Sequence, residues 1–175
     1  MTSDLSIRPL GAADDLHALT EMLHRAYAPL AARGLRYLAT HQDVATTKRR
    51  AEQGSCAVAE VDARIVGTIT LYDKGMVRYD DLEPDDGRIW YTQPGVMVFG
   101  QYGVDPGFKG LGIGRALHAW AEEEARRNGA RELACDTAEP ATDLIEMYKR
   151  WGYRLIGHTD WAITNYRSVI LSKTL

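Results

Sequence analysis

Apolar residues recur along the first half of the chain at spacings of three and four positions, then give way to runs that alternate or are apolar throughout. The first pattern predicts a helix that is capped at its start by Asp14 or Asp15. A more polar helix is predicted over 43–53, with Asp43 as its cap and a left-handed Gly54 closing it. Two helices are therefore predicted in this part of the chain, and the second is the more polar.

Segments rich in β-branched residues predict the strands. LSIRPL predicts a short strand before the first helix, and SCAVAEV and RIVGTITLY flank the turn residues Asp62 and Ala63, which is typical of a hairpin. Four later segments predict further strands: VMVFGQYGV, RELACDT, YRLIG and YRSVILSK. The long Gly-, Pro- and Asp-rich stretch between RIVGTITLY and VMVFGQYGV is predicted to be an exposed loop.

Two predicted helices alternate with these later strands. One covers 116–128, and the other opens at a capping-box pattern of Asp143 and Glu146 and is closed by Gly152. A strand, helix and strand in succession form a parallel crossover, whereas the earlier hairpin is antiparallel. The sequence predicts an α/β (α+β) fold with a mixed sheet, in one domain over residues 1–175.

Composition limits the partners that the protein can bind. The 24 acidic residues outnumber the 21 Lys and Arg residues, so no overall basic field attracts nucleic acid or an anionic membrane. The N-terminus lacks a signal-peptide pattern and no segment resembles a membrane span, which indicates a cytoplasmic protein. Cys56 and Cys135 are set in apolar surroundings typical of buried thiols, and no spacing of His, Cys or acidic residues predicts a metal site.

The segment VDPGFKGLGIG lies between a predicted strand and a predicted helix, and Lys109 and Arg115 stand on either side of its last three glycines. Its last three glycines stand at alternate positions, Gly110, Gly112 and Gly114. Glycines there leave backbone N–H groups uncovered, and together with the helix dipole these groups can bind a phosphate or pyrophosphate. A nucleotide-binding oxidoreductase would need G-x-G-x-x-G, but Arg115 or Leu117 stands at the third position, and no Gly-Lys-Ser/Thr ends the loop as in nucleotide triphosphatases.

VDPGFKGLGIG and the later MYKRWGY together resemble the GNAT superfamily of N-acetyltransferases. That family binds the pyrophosphate of acetyl-CoA with Arg/Gln-x-x-Gly-x-Gly/Ala, which Lys109, Gly112 and Gly114 match except at the first residue. Lys keeps the charge there but lacks the planar fork of Arg. The resemblance implies a twisted mixed sheet with helices on both faces, in which strands four and five splay apart and admit the pantetheine arm of acetyl-CoA.

The same resemblance implies the residues that bind acetyl-CoA. They are the end of strand four and the loop after it: Tyr102, Gly103, Val104, Lys109, Gly110, Leu111, Gly112, Ile113, Gly114 and Arg115. A backbone N–H at or near Tyr102 would meet the oxyanion of the reaction. Where the family often has an Asn that bonds the pantetheine arm, this chain has Ala141, so that contact is lost or passes to Thr142.

Tyr148 is the predicted catalytic residue, because it stands where the family commonly places the tyrosine that protonates the leaving thiolate. Taken from the pattern alone, Tyr148 lies on an apolar stripe and fits equally well as a core aromatic whose hydroxyl bonds a backbone group. Strand four has no acidic residue to act as general base. Glu83, Asp81, His158 or a water chain are candidates for that role, and an amine of lowered pKa needs no base.

Two regions are candidates for the acceptor site. The five acids between Asp80 and Asp86 would either attract a cationic amine or form a solvated loop. Tyr27, Arg36 and Tyr37 lie where the first helices of the family overhang the acceptor.

The leading hypothesis is an acetyl-CoA-dependent N-acetyltransferase in which a small-molecule or peptide amine attacks the thioester directly, within a ternary complex. Neither cysteine has a recognisable nucleophile setting, which disfavours an acetyl-enzyme. The alternative is an inactive acyl-CoA-binding or regulatory domain, favoured by Ala141 and by the lack of an acid on strand four. Similar proteins often dimerise through their last strands, so the resemblance also admits a homodimer.

Overall fold

A mixed sheet flanked by helices forms the centre of the computed structural model, which describes residues 5–73 and 82–175. Its strands are β1 (Leu5–Pro9), β2 (Ser55–Val61), β3 (Arg64–Tyr72), β4 (Val96–Val104), β5 (Glu132–Ala138), β6 (Arg154–Asp160) and β7 (Arg167–Thr174). They form one seven-stranded sheet in the order β1-β2-β3-β4-β5-β7-β6. All the strands predicted from the sequence are confirmed.

The helices also follow the predicted order. They are α1 (Leu16–Ala32), α2 (Val44–Glu52), α3 (Ile113–Arg127) and α4 (Thr142–Arg150). Asp15 rather than Asp14 caps α1, since the Asp15 side chain accepts from the first-turn N–H groups. In the described part of the chain, no helix is long and apolar enough to cross a bilayer.

Three predicted helix boundaries are wrong. Helix α3 begins at Ile113, three residues before the predicted Ala116, because the left-handed Gly112 already turns the chain into the helix. Asp143 does not open a capping box, since the residue before α4 is Ala141 and Asp143 instead pairs with Arg33 at 2.9 Å.

Gly54 does not close α2 through a left-handed conformation, because its φ lies outside that region. The residue is needed for space, since a Cβ atom there would lie 2.0 Å from the Leu71 carbonyl oxygen. The end of α2 is therefore held directly against β3.

The two halves of the sheet meet along a short parallel seam. The hairpin of β2 and β3 turns through Asp62 and Ala63, both with positive φ, as a two-residue turn requires. Strand β4 pairs antiparallel with β3 along most of its length, but its parallel pairing with β5 covers only Val96–Val98. Beyond Val98 the two strands separate, as the resemblance implies.

Helices cover both faces of the sheet. Helices α3 and α4 pack on one face, where buried Leu117, Leu133 and Leu171 belong to the main core. Helix α1 packs on the other face through Leu19 and Met22, and a turn of 3-10 helix over Gly87–Thr92 covers the start of β4 and β5 there. The separated strands therefore leave an opening between two covered faces.

Candidate active site

A cavity of about 710 Å³ lies where β4 and β5 separate. Phe99 and Tyr148 line it from the face of α3 and α4. Tyr72 and Asp136 line it from the face of α1 and α2. These two side chains share a face of the sheet because Tyr72 is paired with Val98 and Val98 is paired with Ala134. Asp136 is two residues after Ala134 and so lies on the same face. The cavity thus passes through the sheet, and its size suits a small-molecule site.

A bulge in β4 shapes the backbone beside this cavity. The pairing of β3 with β4 shifts between Thr68 and Thr70, opposite Gln101, whose φ is 47°. A left-handed φ costs a non-glycine residue of order 1 kcal/mol or more. Buried hydrogen bonds offset this cost, since the Gln101 side chain accepts from Gln42 Nε2 at 3.0 Å and is itself fully buried.

The end of β4 is fixed to its neighbours by two tyrosines. The Tyr102 hydroxyl donates to the Gly114 carbonyl at 2.8 Å, and the Tyr102 carbonyl accepts from the Tyr27 hydroxyl at 2.8 Å. Gly103 allows α1 to lie directly on the strand, because a Cβ atom at this position would be 3.0 Å from the Ala26 Cβ. The structure therefore places Tyr102, Gly103 and Val104 together on the cavity wall.

The glycine loop presents an open backbone surface after β4. Gly110 and Gly112 have φ values of 85° and 77°, and no atom of the described chain lies within 4 Å of a Cβ atom built at either position. The first turn of α3 follows directly, and its N–H groups have no partners within the helix. An exposed cradle of N–H groups at a helix N-terminus fits a pyrophosphate.

Other loop residues contribute in different ways. Lys109 is exposed and lines the cavity. The Arg115 guanidinium stacks on the Trp151 ring, 4.8 Å from its centroid. The Ile113 side chain is buried in the main core, so only its backbone N–H remains for a ligand, whereas Leu111 is 64% exposed.

Tyr148 is a buried phenol whose hydroxyl is free to act on a ligand. Its ring packs near the rings of Phe99, Trp151 and Tyr153, with centroids 5.5 to 6.0 Å away. The hydroxyl makes no hydrogen bond to any described residue, and Tyr148 lines the cavity. Burial raises the pKa of Tyr148 well above its ordinary value, so the phenol keeps its proton at neutral pH.

Asp136 is a cavity carboxylate whose importance the sequence did not reveal. It accepts hydrogen bonds from the Tyr91 hydroxyl at 3.1 Å and from the Trp161 indole at 2.9 Å. Burial raises the pKa of Asp136 despite these two donors. The available signal was a charged residue inside RELACDT, a segment predicted to be a central strand.

The predicted acceptor residues are partly brought together. Tyr27 and Tyr37 line the cavity, and the Tyr37 hydroxyl is hydrogen-bonded to Thr137 Oγ1 at 2.8 Å. Arg36 is exposed and lies outside the cavity wall. Ala141 is fully buried beside Ala138, so this position offers no polar group to a pantetheine arm.

The two general-base candidates that lie among the described residues, Glu83 and His158, do not line the cavity. Glu83 is exposed, and His158 lies 3.4 Å from Glu139, both away from the cavity wall. Asp81, like Asp80, lies outside the described residues.

The last acid of the charged segment, Asp86, has a structural role. It caps the 3-10 helix and forms an ion pair with Arg88 at 2.7 Å. Its carboxylate is therefore already engaged within the protein.

The cysteines and acidic clusters offer no other reaction centre. Cys56 and Cys135 are buried free thiols, and burial raises the pKa of both, which disfavours the nucleophilic thiolate. Across residues 5–73 and 82–175, no three His, Cys, Asp or Glu side chains are grouped to hold a metal ion.

Comparison with known proteins agrees with this geometry. The sequence model of the Acetyltransferase (GNAT) family matches residues 16–153. The chain is 33% identical over 151 residues to S-(2-succino)cysteine N-acetyltransferase of Bacillus subtilis (strain 168), covering 83% of this chain and 82% of that protein.

Solved structures share the fold. FeeM, an N-acyl amino acid synthase from uncultured soil microbes, aligns with a TM-score of 0.74 at 14% identity, over 99% of this chain and 92% of that one. A GNAT family acetyltransferase from Elizabethkingia anophelis with acetyl-CoA bound aligns with a TM-score of 0.65 at 15% identity, over 98% of both chains. With the open glycine loop and the cavity between separated strands, the family match shows that this chain belongs to the GNAT family of acetyltransferases, whose co-substrate is acetyl-CoA.

Proposed function

We propose that this acetyltransferase transfers an acetyl group from acetyl-CoA directly to the amine of a small molecule, with Tyr148 as the general acid and Asp136 as the general base. The observation that carries this proposal is the cavity through the sheet. It has a protonated phenol with no hydrogen-bond partner among the described residues on one face and a partly buried carboxylate on the other.

The residues at the carboxyl end of β4 would hold the acetyl donor. The N–H groups of Gly112 to Arg115 and the charge of Lys109 suit the pyrophosphate, and the β4 backbone that lines the cavity near Tyr102 suits the pantetheine amides. Acetyl-CoA supplies the activated thioester. The bulge at Gln101 interrupts the backbone pairing of β4 with β3 at the point where β4 lines the cavity.

The two ionisable side chains divide the proton transfers between them. As the amine nitrogen bonds to the acetyl carbon and the carbon–sulfur bond breaks, the Tyr148 hydroxyl gives its proton to the departing sulfur. Asp136 takes the proton that the amine loses, which its raised pKa favours over an ordinary Asp. Both side chains then exchange protons with solvent and return to their starting states.

The acceptor is proposed to be a small amino compound, and the enzyme is proposed to work in the cytoplasm. The relative that acts on S-(2-succino)cysteine is 33% identical over most of both chains, which supports an amino-acid-like acceptor. Two buried free thiols suit a reducing compartment.

The first experiment measures free thiol released from acetyl-CoA when amino acids and S-substituted cysteines are added. Release that depends on the amine supports the enzyme, whereas calorimetric binding of acetyl-CoA without release by any amine would support the inactive acyl-CoA-binding domain instead.

A Tyr148→Phe variant tests the acid. Because only the hydroxyl group is removed and the ring stays in place, kcat should fall about 10²-fold while acetyl-CoA affinity stays nearly unchanged. Tyr153→Phe is the matched control, since the Tyr153 hydroxyl is hydrogen-bonded to His118, at a distance of 2.7 Å, and Tyr153 does not line the cavity. An unchanged kcat in Tyr148→Phe would remove this residue from the mechanism.

A further inference from the structure

Arg50 is a half-buried cation on the cavity wall, and no carboxylate of the described residues forms an ion pair with it. It comes from α2, on the same face of the sheet as Asp136. Its one hydrogen bond within the described chain goes from NH1 to the neutral Gln42 side chain, at 2.7 Å. By contrast, Arg33, which also lines the cavity, is paired with Asp143.

Two consecutive side-chain hydrogen bonds hold the Arg50 guanidinium in place. Gln42 is 2% exposed, and it accepts from Arg50 while it donates to the Gln101 side chain at the bulge of β4. A guanidinium has five N–H donors, and this arrangement uses one of them. Burying a cation against a neutral amide alone is costly, so the remaining donors suit an anionic ligand.

Tyr72 is a second unsatisfied donor beside Arg50. Its hydroxyl is buried and has no hydrogen-bond partner among the described residues. The Tyr72 ring and the Arg50 guanidinium both lie against Gly100, at 3.2 and 3.6 Å from a Cβ atom built there. Burial raises the pKa of Tyr72, and the charge and hydrogen-bonding group of Arg50, together with the Thr70 hydroxyl, oppose this rise, so these groups lie close to the Tyr72 hydroxyl although none forms a hydrogen bond of normal geometry with it.

We infer that the acceptor amine carries a carboxylate, and that Arg50 and Tyr72 bind this carboxylate while Asp136 receives the amine. The inference rests on the proposed function, since it names the acceptor class of the same site. A cation and an anion on one face of the cavity complement the two charges of an amino acid. A carboxylate would use the free donors of Arg50 and the unpartnered hydroxyl of Tyr72 together.

The test compares three thioether amines that differ in carboxylates: S-carboxymethylcysteine, S-methylcysteine and S-methylcysteamine, which has none. We expect kcat/KM for the two amino acids to exceed that for S-methylcysteamine by about 10²-fold. Similar values for all three would overturn the inference.

Variants separate recognition from stability. Arg50→Gln should lower kcat/KM for the amino acids about 10²-fold, mainly through KM, and change S-methylcysteamine less than about twofold. Lys48→Gln, an equal loss of charge on the exposed side of α2, is the matched control. An equal loss of kcat/KM with all three amines would show that Arg50 has only a structural role and would contradict the inference.

Tyr72→Phe provides a second variant that should fold normally, because it removes a hydroxyl without a partner. It should weaken only the amino acids, by about tenfold. Calorimetric binding of S-methylcysteine to the wild type and to Arg50→Gln decides the inference even when no thiol is released. Absence of release with retained, Arg50-dependent binding would refute the proposed function alone, whereas binding that is absent or independent of Arg50 would refute the inference.

Discussion

Gly112 and Gly129 form a natural pair for testing what the glycine loop binds. Gly112 precedes α3, Gly129 follows it, both have a φ of 77°, and nothing in the described chain lies within 4 Å of a Cβ atom built at either position. Replacing either by Ala therefore adds no clash and imposes only the left-handed backbone cost, about 1 kcal/mol. For a chain of 175 residues this lowers Tm by roughly 2–4 °C in each variant.

The two variants should differ in acetyl-CoA affinity. Gly112→Ala places a methyl group on the open cradle and disfavours the backbone that presents the first-turn N–H groups, so Kd should rise at least about tenfold. Gly129→Ala, at the opposite end of the same helix, should bind as the wild type does. Thermal unfolding and calorimetric titration measure both quantities, and equal affinities in the two variants would refute the assignment of the loop as the pyrophosphate site.

Two further substitutions test the cavity walls. Because burial raises the pKa of Asp136, the folded protein holds this proton more tightly than the unfolded chain, so the resulting stability is present at acidic pH and lost as pH rises through the folded pKa. The stability of Asp136→Asn relative to the wild type, measured as the difference in denaturant midpoint, should therefore increase as pH rises from about 4 to about 8. The variant should also acetylate more slowly than the wild type. Loss of activity with no such change in pH dependence would contradict the buried-carboxylate argument. Tyr102→Phe removes the hydrogen bond to Gly114 and should cost about 1 kcal/mol and raise the KM for acetyl-CoA, with kcat little changed. A normal KM would show that this bond does not position α3 for the donor.

The elements could be predicted because their signals are local. Apolar periodicity marks one face of α1, and the turn residues Asp62 and Ala63 mark the hairpin. The glycine loop could also be predicted, since alternate glycines between a strand and a helix leave backbone N–H groups open to an anion. The position of Tyr148 came from the family resemblance, and the structure adds that its hydroxyl bonds to no residue of 5–73 or 82–175.

The charged groups on the cavity wall could not be predicted, because they come from distant parts of the chain. Asp136 looks like an isolated charge until β5 separates from β4, and Arg50 looks like one of several basic residues on a polar helix. The bulge was not predicted at Gln101, because its left-handed φ falls on a non-glycine residue that buried hydrogen bonds stabilise. The capping pattern at Asp143 also failed because of a distant residue, since the Asp143 carboxylate pairs with Arg33 and does not cap α4.

The short seam between β4 and β5 makes the co-substrate part of the architecture. The sheet consists of two halves, β1–β4 and β5–β7, whose backbones pair directly at only three positions among the described strands. A donor bound between them, as proposed, would add contacts across the seam, and at a concentration of about 100 Kd it would add roughly 2.7 kcal/mol to the stability of the fold. Amide hydrogen exchange should therefore slow most beside the seam when acetyl-CoA is added.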